Sequence, residues 1–173
     1  REGARIPPAA QATRLGPGDQ RKEWHHLERE MKLGHYIHAT ADEPGETASR
    51  VHVVPKPGEE KFTEEERWGR LVCDYRKVCE VTECEPGVQT NGDEMTMWMA
   101  SSLWKSLCDL LWGCNHIVLT RRAARLLQIA TSLGVLKPTV LRFGIHGGPT
   151  GFQVCVNDAF KELIRAKKVK AFI

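Results

Sequence analysis

The stretch that most constrains the fold runs from Trp104 to Ile117 and reads WKSLCDLLWGCNHI. It places one carboxylate, Asp109, inside an apolar run that is bounded by Gly113. An apolar run of this length that ends at a glycine predicts a buried strand. A carboxylate at the end of such a strand is costly unless it is paired or binds a metal, although an aspartate can also simply cap the turn at Gly113. The stretch alone leaves both interpretations open, so the flanking sequence must decide between them.

Length and composition restrict the class of protein. A chain of 173 residues is long enough for one domain or two small lobes that share a core. With 41% hydrophobic and 27% charged residues, the composition is typical of a globular protein in water rather than a membrane protein. The formal net charge of +3 is too small to predict nucleic-acid binding by itself.

The N-terminus and the cysteines indicate the cellular setting. The first residues, REGARIPPAAQ, contain no initiator methionine and no signal peptide, so we expect a piece of a longer intracellular protein. None of the six cysteines forms a CxxC pair, which favours free thiols in a reducing compartment over disulfides. A zinc site that combines Cys79, Cys84 and a histidine is an alternative, but the spacing is poor.

Hydrophobic periodicity predicts the first elements. The apolar positions between residues 20 and 33 predict an amphipathic helix with Asp19 as its N-cap and Gly34 as its stop signal. The segments 51–54 and 68–75 predict a β-hairpin, whose charged tip spans residues 59–66.

The second half of the chain predicts a mixture of helices and strands. A helix is expected over residues 93–102, and another over 149–166 with a proline in its first turn. Two strands, 126–131 and 139–143, are expected to be joined around Gly134, and a last strand begins at Val169.

Five stretches, in chain order, resemble motifs of one polymerase family. RWGRLVCDYRKV is similar to the pattern W-R-M-V-V-D-Y-R-x-L-N, SLCDLLWGCNHI to K-L-D-L-R-S-G-Y-H-Q-I, and FGIHGGPTGFQVCVNDAF to F-G-L-x-N-A-P-x-T-F-Q-x-x-x-N-x-x-F. RLGPGDQRKEWHHLEREMKLGHY resembles the lead-in and first helix of the same family, and KKVKAFI the strand before its Y-x-D-D turn. The family is the reverse transcriptase of gypsy-type LTR retrotransposons, with retroviral reverse transcriptases as more distant relatives.

The resemblance implies an α+β fold, with the fingers and a partial palm of a right-hand polymerase that ends before the second catalytic motif. The implied divisions are an extended lead-in at 1–18, fingers at 19–85, palm at 86–117, a return to the fingers at 118–146 and incomplete palm at 147–173. The thumb and the RNase H region would be the remaining partners within the polyprotein.

The implied activity is RNA-directed DNA synthesis. An RNA template, a DNA primer and deoxynucleoside triphosphates would be the substrates, and two Mg²⁺ ions would support in-line phosphoryl transfer in the full-length enzyme. By resemblance, Asp109 is the catalytic, metal-binding carboxylate, and the backbone carbonyl of Leu110 is a further metal ligand. A single carboxylate cannot hold two Mg²⁺ ions against their hydration, so we expect the 173-residue chain alone to be inactive.

The resemblance also assigns substrate contacts. The expected nucleotide-binding residues are Arg70, Lys56, Cys114 and Phe143, where Cys114 replaces the aromatic residue that blocks a ribose 2′-hydroxyl in the family. The expected template and primer contacts are Asp74, Arg76, Gly144, Pro149, Phe152 and Gln153.

Structural interpretations remain open for several of these residues. Asp74 and Arg76 could instead belong to a cross-strand ion network, Phe152 could pack in the core, and Cys114 could fill the palm core. The competing functional class is a degenerate, non-catalytic remnant that retains some affinity for nucleic acid.

Overall fold

The structure, a computed structural model, describes residues 5–40, 45–64, 66–83, 92–101 and 103–170. Its helices are α1 (Pro17–Lys32), α2 (Arg76–Val81), α3 (Gly92–Ala100), α4 (Arg121–Leu126), α5 (Gly148–Ala159) and α6 (Lys161–Arg165). Its strands are β1 (Tyr36–His38), β2 (Ala48–Val54), β3 (Arg70–Asp74), β4 (Gln128–Thr131) and β5 (Gly134–Pro138). Short 3₁₀ turns cover Glu59–Lys61 and Gly113–His116. Among the described residues, no helix is long and apolar enough to cross a membrane.

The five strands form one mixed sheet in the order β1-β5-β4-β2-β3. Strands β2 and β4 pair in parallel, and all other neighbours are antiparallel. The mixed sheet with its surrounding helices confirms the α+β prediction. The predicted hairpin is also confirmed, since Val54 pairs with Arg70 at the tip and Arg50 with Asp74 at the open end.

Helix α1 begins three residues earlier than predicted because Pro17 occupies its first turn, where a missing N–H costs nothing. Its N-cap is Gly16, so the prediction that Asp19 caps the helix is wrong. Asp19 lies inside the first turn, where a carboxylate still interacts favourably with the helix dipole. Gly34 has a φ of 74° and terminates the helix as predicted.

The core lies where α1 packs on the sheet. Leu27, Tyr36, Val51, Ile129 and Leu136 are almost completely buried there. Burial of an aliphatic side chain of this size stabilises a fold by about 1.5–3 kcal/mol. The Tyr75 hydroxyl enters this core and donates a hydrogen bond to the Leu127 carbonyl at 3.0 Å.

The prediction of a buried strand over residues 104–117 is wrong. Residues 105–110 have no regular structure, and Gly113–His116 is a 3₁₀ turn. Leu103, Trp104 and Leu107 are 96%, 93% and 86% exposed. A strand needs a neighbour for its backbone hydrogen bonds, and none of the described strands pairs with this segment.

The prediction of a strand over residues 139–143 is also wrong. The strand covers Gly134–Pro138 instead, because Thr131 pairs with Gly134 and leaves only two residues for the turn. Residues 139–143 contribute one isolated bridge, from Val140 to Val118.

The remaining elements differ in extent. The predicted helix over 93–102 is α3, and the one over 149–166 is interrupted at Phe160 into α5 and α6. Residues 169 and 170 are not a strand, and the rest of that prediction lies outside the described residues. The short elements β1, α2 and α4 were not predicted.

Candidate nucleic-acid interface

The turn end of the β2–β3 hairpin, which we call its mouth, carries two cations. Lys56 follows β2 and Arg70 opens β3, and both side chains are exposed. Glu59 closes the tip back on the strands by accepting hydrogen bonds from the backbone N–H groups of Lys56 at 3.1 Å and Gly69 at 3.0 Å. The bond from Lys56 is the main reason that the pKa of Glu59 lies below its ordinary value. The structure therefore brings both predicted triphosphate contacts to one end of the hairpin.

The opposite end of the hairpin carries Asp74 and Arg76. The Arg76 guanidinium donates from Nε and Nη2 to the two carboxylate oxygens of Asp74, each at 2.7 Å. This bidentate pair is the largest cause of the low pKa of Asp74, about 2. The observed ion pair is local rather than cross-strand, because Asp74 and Arg76 are only two residues apart on one chain segment.

A groove of about 440 Å³ adjoins this pair, and we call it the lead-in groove because residues 7–11 form one wall. The Ala10 N–H donates to the Ala48 carbonyl at 2.7 Å and holds that wall against β2. Three cationic side chains line the groove, those of Arg50, Arg76 and Lys77, against the single carboxylate of Asp74. Because Arg76 already neutralises Asp74, the groove has a net positive charge.

The two cationic sites are separated by the length of β3. Arg70 and Asp74 are four residues apart on this strand, which corresponds to about 13 Å. The nucleotide candidates Lys56 and Arg70 thus do not share a site with Asp74 and Arg76.

Gly144 joins the Asp74 end of the hairpin. Its φ is 92°, and a Cβ atom there would lie 3.3 Å from the Cys73 carbonyl oxygen. The Cys79 thiol fixes the same loop, since it donates to the Gly144 carbonyl at 3.7 Å and accepts from the His146 N–H at 3.3 Å. Phe143, immediately before this loop, projects a side chain that is 66% exposed.

Helix α5 carries the other template and primer candidates. Pro149 is exposed in its first turn, and Gln153 is buried and donates to Asn157 at 2.9 Å. The Phe152 ring lies against Gly113, where a Cβ atom would come within 2.4 Å of its Cζ. This contact supports the packing interpretation of Phe152.

The 3₁₀ turn carries Cys114, whose side chain is buried. Burial raises the pKa of its thiol, so the group is neutral near pH 7. Burial of the Cys114 side chain agrees with the packing interpretation, and its predicted sugar contact stays a prediction.

Asp109 lies apart from all of these residues on an exposed, irregular segment. The carbonyl oxygen of its neighbour Leu110 accepts a hydrogen bond from the Gly113 N–H at 3.2 Å. Across the described ranges, no three His, Cys, Asp or Glu side chains are grouped so that they could hold a metal ion. The described residues therefore do not fit a pair of Mg²⁺ ions. Cys84, which the zinc alternative requires, lies outside the described residues.

Sequence reasoning missed a buried ionic cluster formed by Glu30, His35, Asn115 and Arg142. The Glu30 carboxylate accepts from Arg142 at 2.8 Å and contacts His35 at 3.0 Å. One signal was available in the sequence, because Glu30 lies next to Leu27 and Met31 on the apolar face of the predicted helix. A carboxylate on such a face requires a buried partner.

One curated protein gives a sequence match to part of the chain. It is the Retrovirus-related Pol polyprotein from transposon 297 of Drosophila melanogaster, which is 26% identical over 95 residues. The match covers 55% of this chain and 9% of the relative. No family model matches the sequence.

Solved structures match nearly the whole chain. The foamy viral protease-reverse transcriptase in complex with RNA/DNA hybrid matches with a TM-score of 0.73 and 16% identity, over 99% of this chain and 21% of that one. The same type of enzyme in complex with dsDNA matches with a TM-score of 0.71 and 18% identity, over 99% of this chain and 33% of that one. A native prototype foamy virus enzyme matches with a TM-score of 0.63 and 17% identity, over 94% of this chain and 20% of that one.

The structural matches show the fold class, because they place the chain among proteins with a reverse transcriptase fold. The Pol polyprotein relative adds a match in sequence over part of the chain, and together these findings support the prediction of a reverse transcriptase-related fragment. The narrower gypsy-type assignment stays a prediction. The chain spans about a tenth of the curated relative, at 9%, and a third or less of each of these solved chains.

Proposed function

We propose that the chain is the fingers-and-palm part of an RNA-directed DNA polymerase, which binds an RNA template, a DNA primer and deoxynucleoside triphosphates. The observation that carries this proposal is the structural match over 99% of the chain to a reverse transcriptase in complex with RNA/DNA hybrid. The parallel pairing of β2 with β4 supports the division of the chain, because it returns residues 118–146 to the sheet of residues 19–85.

Each cationic end of the hairpin has its own proposed role. Arg70 and Lys56 at the mouth would contact the triphosphate, for which the planar fork of an arginine is well suited. The lead-in groove would receive template phosphates through Arg50, Arg76 and Lys77. The separation of the two sites along β3 supports contacts with two different parts of the substrate complex.

Mg²⁺ dependence is proposed for the complete polymerase. Relatives of this class imply a divalent metal, and Asp109 is the carboxylate that the sequence resemblance assigns to it.

The test is equilibrium binding of a fluorescent RNA–DNA hybrid at several salt concentrations. Affinity should fall as salt rises because phosphate contacts release counterions. Lys77→Ala, which leaves the Asp74–Arg76 pair intact, should weaken binding and reduce the salt slope by about one. Lys32→Ala is the matched control, because it removes one exposed positive charge that belongs to neither site. Salt-independent affinity, or no affinity at low salt, would overturn the proposal.

The second candidate is a non-catalytic remnant that binds nucleic acid, favoured by the exposed and irregular setting of Asp109. It predicts hybrid binding without synthesis. Primer extension on an RNA template, by protein that also carries the complete downstream polymerase sequence, distinguishes the candidates. Template-dependent extension would contradict the remnant, and binding without extension would contradict the polymerase.

A further inference from the structure

A buried cluster connects two chain segments that carry candidate nucleotide contacts. Arg142 Nη1 donates to Glu30 Oε2 at 2.8 Å, and His35 Nδ1 lies 3.0 Å from the same oxygen. The three side chains are only 10–16% exposed. We call Glu30, His35, Asn115 and Arg142 the buried clamp.

Asn115 brings the 3₁₀ turn into the clamp. Its Oδ1 accepts from Arg142 Nη1 at 3.5 Å, and its Nδ2 lies 3.4 Å from His35 Nδ1. Asn115 directly follows Cys114, and Arg142 directly precedes Phe143. The clamp therefore holds the neighbours of two predicted nucleotide contacts against each other and against α1.

Two further contacts restrict the same segments. The Leu141 N–H donates to the Ile117 carbonyl at 2.8 Å, so the segments are also joined through their backbones. The Arg142 guanidinium also lies 4.7 Å from the centre of the Tyr36 ring, a cation–π contact with a core residue.

A gain in folding stability does not by itself explain the buried clamp. Arg142 Nε is buried without a hydrogen-bond partner, and buried ion pairs often stabilise a fold no better than apolar packing does. A charged pair with directed hydrogen bonds does, however, specify one geometry where apolar side chains would allow several. The geometry it specifies here is the placement of the 3₁₀ turn beside residues 141–143.

We propose that Arg142 and Asn115 are positioning residues, which fix Cys114 and Phe143 relative to helix α1. The nucleotide contacts of Cys114 and Phe143 are those that the sequence resemblance predicts, and they depend on the proposed function. The positioning itself rests only on the clamp geometry.

The test is alkylation of the 173-residue chain by iodoacetamide, followed for each cysteine by mass spectrometry. In Asn115→Ala, loss of one half-buried hydrogen-bonding side chain should ease local opening and raise the Cys114 rate by about tenfold. Arg142→Met should raise it at least as much. Cys73, which is half-buried against the core, and the exposed Cys155 should keep their rates and serve as internal references. Arg165→Met is the matched control, because it removes an exposed ion pair with Glu162 by the same substitution.

Two results would overturn the positioning role. One is an unchanged Cys114 rate in both variants. The other is a parallel rise in the Cys73 rate, which would indicate general destabilisation. Asn115→Ala is the milder change, so this variant decides the question if Arg142→Met unfolds.

The functional part has its own measurement. Hybrid together with a deoxynucleoside triphosphate should slow Cys114 alkylation in the parent chain and have less effect in Asn115→Ala. No protection in the parent, with faster labelling in the variants, would overturn the nucleotide site and leave the positioning role intact.

Discussion

The sheet with α1 and residues 103–112, which we call the Asp109 segment, both contain large apolar side chains, but those of the core are buried and those of the segment are exposed. In the sheet, Leu136 and Ile129 are fully buried because strands on both sides supply backbone and side-chain partners. In the Asp109 segment, Leu103 and Leu107 are exposed and the backbone is irregular. The difference shows that an apolar run supplies the tendency to be buried, whereas the partner determines whether burial occurs.

The largest expected effect contrasts one leucine from each region. Leu136→Ala should destabilise the protein by about 2–5 kcal/mol, because it leaves a cavity in a closed core. Leu107→Ala should change the free energy of unfolding by no more than about 0.5 kcal/mol, because its side chain already contacts water. Urea unfolding of both variants checks this, and equal losses would mean that the Asp109 segment is packed after all.

Cys114 lies at the boundary of the two regions, and its substitution should have an intermediate effect. Cys114→Tyr should cost about 1–3 kcal/mol, because an aromatic ring does not fit its buried position without displacing neighbours. Thermal unfolding measures this cost. A stable variant with a changed ratio of ribonucleotide to deoxyribonucleotide incorporation, in the complete polymerase, would instead support Cys114 as the sugar contact.

The clamp should make the stability of the sheet region depend on pH. Burial raises the pKa of Glu30, but the charge of Arg142 and hydrogen bonds from His35, Arg142 and Arg29 hold it below its ordinary value of 4.5. A carboxyl whose pKa is depressed by folding stabilises the protein above its unfolded-state pKa. That contribution is lost as the pH falls below about 4.5 through the folded-state pKa. The free energy of unfolding, measured between pH 6 and pH 3, should show this loss, and the loss should be smaller in Glu30→Gln. An unchanged pH dependence in the variant would exclude Glu30 as its source.

The smallest effect is expected at Asp109. Asp109→Asn should leave stability within about 0.5 kcal/mol of the parent, because the carboxylate is exposed on an irregular segment. Hybrid affinity should also remain unchanged, since the proposed phosphate contacts lie on the hairpin. A clear loss of either property would show that Asp109 has a partner that its exposed position does not suggest.

Local signals account for what could be predicted from the sequence. Helix α1 and the β2–β3 hairpin follow from apolar spacing and from turn residues such as Gly34, which act within a few positions. The strands β1 and β5 were missed or displaced, because three to five residues carry too little periodicity.

The candidate site was less predictable for a different reason. The motif resemblance selected residues such as Arg70 and Asp74 but not their arrangement, which depends on the length of β3. The buried clamp joins Glu30 to Arg142 across more than a hundred positions, and nothing local in the sequence specifies that pairing.

The parallel pairing of β2 with β4 has a consequence for folding during synthesis. Ala48 pairs with Gln128, eighty residues later in the chain. Until that later strand has been made, the hairpin of β2 and β3 presents an unpaired inner edge to other molecules. Unpaired edges recruit foreign strands, and contacts between distant residues form slowly. The newly made chain should therefore be most prone to aggregate while the ribosome is translating residues 75–127, and a chaperone that covers strand edges should improve its yield most in that interval.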